Sequence, residues 1–284
     1  MFLLLIAIFG IVLFLVEKFI RPLKKSHPAV LYLRSFSEIK ETKQDWYAHK
    51  SENIFAQELC DEYLVVSVPL DCGVMSYAKE IDFLKQQEDQ HAKLHTLIMK
   101  DHPAAQKYKF WKKVLKLVLL KTPQWLSENI LGNVETSFGN GMWIAQMTLG
   151  EFWSNLLIFH WFEESEHGAV TSSFFKHRYN ALIRLIFAPI GVLCLALLWV
   201  LPIFMKLYYT PRIWLYPKTY LDLVIYLGAI TLGWLLNVAE CLVFWILPFE
   251  HSTNYYKYVR SSFEKQIKER KIEFKVIKEK EYIY

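Results

Sequence analysis

The chain has 284 residues, 54% of them apolar and 16% aromatic, with a formal net charge of +5 and a positive mean hydropathy. That balance argues against an ordinary soluble globule and for membrane association. With so modest a charge and no glycine-rich phosphate loop, zinc-finger spacing or RNP-like strand, nucleic acid is excluded as the expected partner. The four cysteines (Cys60, Cys72, Cys194, Cys241) show no CxxC spacing, so neither a disulfide framework nor a thiolate zinc site is expected, and a reducing compartment fits.

Residues 1–16 carry no charge, and the basic residues of EKFIRPLKK follow rather than precede them. A cleaved signal peptide has the opposite polarity, so residues 1–20 read as a retained transmembrane anchor. Residues 31–178 read as a helical domain, because Pro and Gly are scarce in its periodic stretches and apolar residues recur every three or four positions. Within it, FWKKVLKLVLLKTPQWL (110–126) is basic and amphipathic. Such a segment suits either a helix lying in a membrane surface or a bundle helix with a solvated lysine face.

Two segments of this domain carry the chemistry. In QEDQHAKLH (87–95), Glu88, His91 and His95 fall within an arc of about 60° on a helix, and in HWFEESEH (160–167) so do His160, Glu164 and His167. Glu163 sits at the margin of that arc and Glu166 points elsewhere. Both segments contain Glu-x-x-His, as Glu88/His91 and Glu164/His167, and the extra histidine on each face makes coincidence harder to sustain. A ferritin-like bundle also needs a lone glutamate from each partner helix. Glu58, thirty residues before Glu88, and Glu135, twenty-nine before Glu164, are the candidates. Turns midway would fall at PLDCG (69–73) and at Leu149 and Gly150, where turn residues stand.

The expected fold is therefore all-α: a ferritin-like four-helix bundle with a dinuclear metal site, plus transmembrane helices. Four carboxylates and two imidazoles suit iron foremost, with manganese or zinc as other occupants. His95 and His160 are expected as further ligands or as orienters of ligands, and with Glu164 they form the expected catalytic group. A bridged pair of ions about 3.5–4 Å apart requires the ligand tips to meet within about 10 Å. Gly139 and Gly141 near Glu135 would leave room for substrate. Glu151 is expected to complement the dipole of the helix that it opens.

After the domain, residues 185–205 and 223–249 are each long and apolar enough to cross a bilayer, giving two transmembrane helices over 181–249. Arg184 and Glu240 would pair near their ends. Basic residues flank the chain at RPLKK, at KHRYNALIR and in the tail 250–284. The positive-inside rule then puts the metal domain and a charged tail in the cytoplasm, at a bacterial inner membrane, with the aromatic loop KLYYTPRIWLYPK on the opposite side.

On its two histidine motifs, QE-x-x-H-x-x-x-H and H-x-x-EE-x-EH, the segment from about 50 to 178 resembles the bacterial family of predicted metal-dependent hydrolases, which is itself similar to the ferritin-like di-iron proteins. The resemblance places Glu58 at the family's first-helix glutamate and Glu135 at its third-helix glutamate. It departs at NIFAQEL, which replaces an FP-x-GE-like motif, at VETSFG, which lacks the following histidine, and in the N-terminal anchor.

The leading expectation is a membrane-bound non-haem di-iron oxidase or oxygenase that uses dioxygen on a hydrophobic, lipid-like substrate and draws on an electron donor. A metal-dependent hydrolase with a metal-activated water is the second reading. A non-catalytic metal-binding membrane protein is the third.

Overall fold

The computed structural model describes residues 28–36, 51–62, 82–99, 104–123, 126, 149–178, 181–246 and 249–283. The anchor expected over 1–20, the turn expected at 69–73, Glu135 with its neighbouring glycines, and the side chains of Glu151, Arg184 and Glu240 lie outside what is described. In chain order the described elements are strand β1 (Pro28–Phe36), helix α1 (54–62), α2 (Asp82–Met99), the single turn α3 (Ala104–Lys107), α4 (Lys109–Lys121), α5 (Glu151–Arg178), α6 (Ala181–Tyr209), a 3-10 turn (Pro211–Leu215), α7 (Pro217–Ile246), α8 (Phe249–Glu269) and β2 (Phe274–Ile283).

The described residues are mostly helical, with α5 at their centre. Every residue from Trp153 to Gly168 is buried, so this stretch has no solvated face, as a helix enclosed by other elements requires. The apolar core around it joins Leu157, Ile158 and Trp161 of α5 to Phe55 and Leu59 of α1, Trp199 of α6, Tyr226 and Ile230 of α7, and Val259, Phe263 and Ile267 of α8. A second cluster at its N-terminal end packs Trp153 and Leu156 on Cys60, Tyr108 and Met205. Leu149 and Gly150 immediately precede α5, where the spacing argument wanted a turn. The Cys60 thiol is free and buried, and burial pushes its ionisation up.

Helix α8 packs along α5. Their closest approach depends on Gly168, where a Cβ would stand 2.5 Å from Cε1 of Tyr256. At its C-terminus, Ile272 N–H donates to the Ile267 carbonyl and Lys271 N–H to Lys268, with Lys271 left-handed at φ 54°. This Schellman arrangement turns the chain into β2. Strand β2 then pairs antiparallel with β1, from Pro28 opposite Ile283 to Phe36 opposite Phe274, with an irregularity between Leu33 and Arg34. Two expectations are corrected here. The described fold is not purely α, and in the segment expected as a charged tail residues 250–269 are helical and Phe274–Ile283 a strand, with α8 packed on α5 and β2 paired with β1. Lys278, Glu279 and Lys280 of β2 are consecutive and all exposed, so the ribbon carries Lys on one face and Glu on the other.

Helices α6 and α7 form a hairpin whose windows Pro189–Tyr209 and Pro217–Val238 are long and apolar enough to cross a membrane, and only 27% and 28% of them is buried. A soluble core helix hides far more than that. The tip is closed by Thr219 Oγ1 donating to the Ile213 carbonyl at 2.6 Å and Tyr220 OH to the Trp214 carbonyl at 2.9 Å.

That tip does not stand across from the helical domain, as the expected orientation had it. Asn53 caps α1, its Oδ1 accepting from the N–H groups of Phe55 and Ala56. The same side chain donates to the Asp222 carbonyl at 2.8 Å, and Lys218 Nζ donates to the Glu52 carbonyl at 2.9 Å. Tyr209 OH donates to the Lys107 carbonyl at 3.2 Å. Positive-inside counting weighs charge beside each span and contains no term for such contacts.

Candidate metal centre

Helices α2 and α5 face one another through the two segments singled out in the sequence. Two groups of ligand-type side chains converge there: His91, His160 and Glu164, and Glu88, Glu164 and His167. In each group, one donor atom per residue lies within 4.8 Å of the others. All five residues are buried.

Glu164 belongs to both groups and divides its oxygens between them. Its Oε1 lies 3.3 Å from His160 Nε2 and 3.4 Å from His91 Nδ1, and its Oε2 lies 3.2 Å from His167 Nδ1. Glu88 Oε1 stands 2.8 Å from the same His167 nitrogen. The i, i+3 and i, i+4 spacings of α5 put His160, Glu164 and His167 on one stripe, and α2 meets that stripe with Glu88 and His91.

Charge accounting favours a cation in this setting. Among the described residues, Glu88 and Glu164 are ion-paired only to imidazoles. Isolated buried carboxylates are costly unless they are neutralised. Burial and the charge of Glu164 raise Glu88 to about 7. Burial also pushes Glu164 upward, but His167 and the bonds from His167 and His91 outweigh it and hold that carboxyl well below its usual range. Burial lowers His91, yet hydrogen bonds to Glu163 and Glu164 win and raise it well above the ordinary imidazole value. His160 is pushed well down by burial and by the neighbouring charge of His91. The donor set brings nitrogen and oxygen atoms together in groups that could hold a metal ion.

His91 is oriented from behind. Its Nε2 lies 2.7 Å from Glu163 Oε2, which leaves Nδ1 aimed at Glu164 and Glu88. Glu163 stands 3.6 Å from Arg34 Nη1 of β1, and Arg34 also grips Glu166 with bonds of 3.0 and 2.5 Å. Glu166 takes a further bond of 3.0 Å from Arg260 of α8. The Arg34 guanidinium is sandwiched by aromatic rings, 4.5 Å from the centre of Phe162 and 4.8 Å from that of Tyr32. Sequence reasoning set Glu163 aside as marginal and Glu166 as pointing elsewhere, and it had no role for Arg34 or Arg260. Glu166 does point away from the other donors, towards the strand that only the chain's two distant ends can build.

Of the eight expected metal ligands, five come together: Glu88, His91, His160, Glu164 and His167. His95 is buried beside them, its ring 5.3 Å from that of His160, and belongs to neither ligand group. Of the three expected catalytic residues, Glu164 and His160 thus share a ligand group and His95 adjoins it.

Glu58 is a correction. Its carboxylate is taken by Lys107, by Tyr108 and by Lys206, the last at 2.9 Å. Burial opposes its charge, but these three partners outweigh burial and keep the carboxyl lowered. The lysines come from α3 and α6, and no spacing rule could have placed them there. One turn on, Glu62 is driven well upward by burial and by the charge of Glu58. Comparison with known protein families, curated proteins and solved structures gives no match.

Proposed function

We propose that the protein is a membrane-bound dinuclear metal enzyme, a ferritin-like di-iron oxidoreductase acting on a hydrophobic substrate with dioxygen. The observation that carries this reading is the position of Glu164, whose two oxygens face two separate half-sites. A carboxylate so placed would offer one oxygen to each of two cations. His91 and His160 would hold one ion, Glu88 and His167 the other. Bound iron would supply electrons to dioxygen, and the chain's part is to position it and exclude water.

The surroundings fit that part. Glu163 fixes the His91 ring through Nε2, and all five donors are themselves buried, which keeps bulk water from them. Helix α5 carries three of the five donors and packs on Trp199, Tyr226 and Ile230 of the α6/α7 hairpin. An apolar substrate dissolved in a bilayer would therefore have a short path to the site.

A hydrolase remains the second reading, favoured by the His91, His160 and Glu164 group. Two imidazoles and one carboxylate are also the ligand set of water-activating zinc.

The deciding experiment measures metal content in the purified protein and then oxygen uptake by the reduced form. About two irons per chain with oxygen consumption supports the oxidoreductase. Zinc or manganese with oxygen-independent ester cleavage replaces it with the hydrolase. Bound metal with neither activity leaves a metal-binding membrane protein, and absence of metal overturns both enzymatic readings.

A further inference from the structure

We infer that α4 is a docking element for an anionic lipid bilayer, seated at the level where the α6/α7 hairpin tip meets the membrane interface. The inference rests on surfaces and not on the metal site. It uses from the proposed function only the reading of the hairpin as membrane-embedded.

The first ground is exposure. Helix α4 presents large apolar side chains to the outside: Phe110 is 66% exposed, Leu117 and Val118 each 53%, and Trp111 39%. A monomeric soluble protein seldom leaves such a set together on one helix.

The second is charge. Lys109, Lys113 and Lys116 are exposed on the same helix. At 100° per residue they share an arc of about 60°, while Phe110, Trp111, Leu117 and Val118 occupy the adjoining sector, which Lys121 joins at the helix's C-terminal end. Between Asp101 and Glu128 the chain has six lysines and no acidic residue. A cationic arc beside an apolar arc is what an anionic membrane surface binds: hydrocarbon below the headgroups and ammonium groups among them.

The third is continuity. Tyr209 at the end of α6 donates to the Lys107 carbonyl and stacks on the Lys107 ammonium at 5.1 Å. The start of α4 is thereby fixed to the hairpin tip, where Tyr208, Tyr209, Leu215 and Tyr216 are all exposed. Tyrosines gather at the bilayer interface, so the hairpin tip and α4 share one depth. A second copy of this chain would have to bring acidic groups to the lysines, which an anionic lipid surface supplies uniformly.

An isolated helix of 13 residues is marginal in water, and among the described residues this one packs little against the body, so its backbone amides should exchange readily until a membrane covers it. The test is hydrogen–deuterium exchange of the full-length protein in nanodiscs of phosphatidylcholine alone and of phosphatidylcholine with about a third phosphatidylglycerol. The expected result is exchange in 109–121 slowed by about tenfold or more in the anionic discs, relaxing at high salt and in the triple variant Lys109→Glu, Lys113→Glu, Lys116→Glu. Peptides from α5 should exchange equally in all discs, and metal content should be unchanged in the variant, so failure of the metal reading would be seen separately. Equal exchange of 109–121 in both discs overturns the proposal. So does protection that follows protein concentration rather than lipid charge, which would assign the face to a second copy.

Discussion

Replacement of Glu163 by glutamine tests whether the cluster is a metal centre with an outer layer or a buried salt-bridge network. The substitution retains an acceptor oxygen 2.7 Å from His91 Nε2 and removes its charge. Losing the carboxylate behind a metal-bound imidazole costs about 10–100-fold in metal affinity, or about 1.4–2.8 kcal/mol. The fold should tolerate the change, because Arg34 keeps both bonds to Glu166, and a single altered buried hydrogen bond is worth only about 1 kcal/mol. Glu166→Gln is the contrasting variant. It strips the charge facing both Arg34 and Arg260 without touching an imidazole, which should cost about 3–5 kcal/mol of stability. Chelator competition would read metal affinity, and the Tm of the metal-free protein would read stability. Unchanged affinity in E163Q, or a larger loss of affinity in E166Q than in E163Q, would refute the assignment of Glu163 as the residue that orients His91.

Four other outcomes follow from the same geometry. Glu164→Gln removes the charge and replaces one of the two oxygens that face the half-sites with an amide nitrogen, so metal content by elemental analysis should fall by at least half, whereas a merely structural glutamate would leave it intact. Glu58→Gln leaves Lys107 and Lys206 facing an uncharged amide; Tm should drop by the equivalent of about 1–3 kcal/mol while metal content stays at the wild-type level. Gly168→Ala forces a methyl against the Tyr256 ring and should destabilise by about 1–3 kcal/mol in denaturant titration. The last concerns pH. Because the Glu88 carboxyl is raised from 4.5 to about 7, its contribution to the stability of the metal-free protein is complete below 4.5 and is lost as pH rises through about 7. Metal must displace that proton, so affinity should increase over the same interval. A pH-independent affinity there would count against Glu88 as a ligand.

The site was legible in the sequence wherever its geometry is local. His160, Glu164 and His167 share a stripe because a helix repeats every 3.6 residues, and Glu88 and His91 follow for the same reason. The membrane-length helices were equally legible, since length and apolarity are properties of a single segment. A pair of donor-bearing helical faces, an apolar hairpin and a basic amphipathic segment can thus be read from residue order alone.

The partners that each face meets come from contacts between segments far apart in the chain. Glu58 has the right spacing for a ligand, yet α3 and α6 bring two lysines to it. Glu163 and Glu166 lie off the donor stripe, and their roles depend on an arginine more than a hundred residues away in β1. That strand exists only because β2, at the other end of the chain, pairs with it. Periodicity governs which side chains leave a helix together; it carries no information about the charge that waits on the opposing surface, and in a buried site that charge decides whether a carboxylate faces a lysine, an arginine or a histidine cluster.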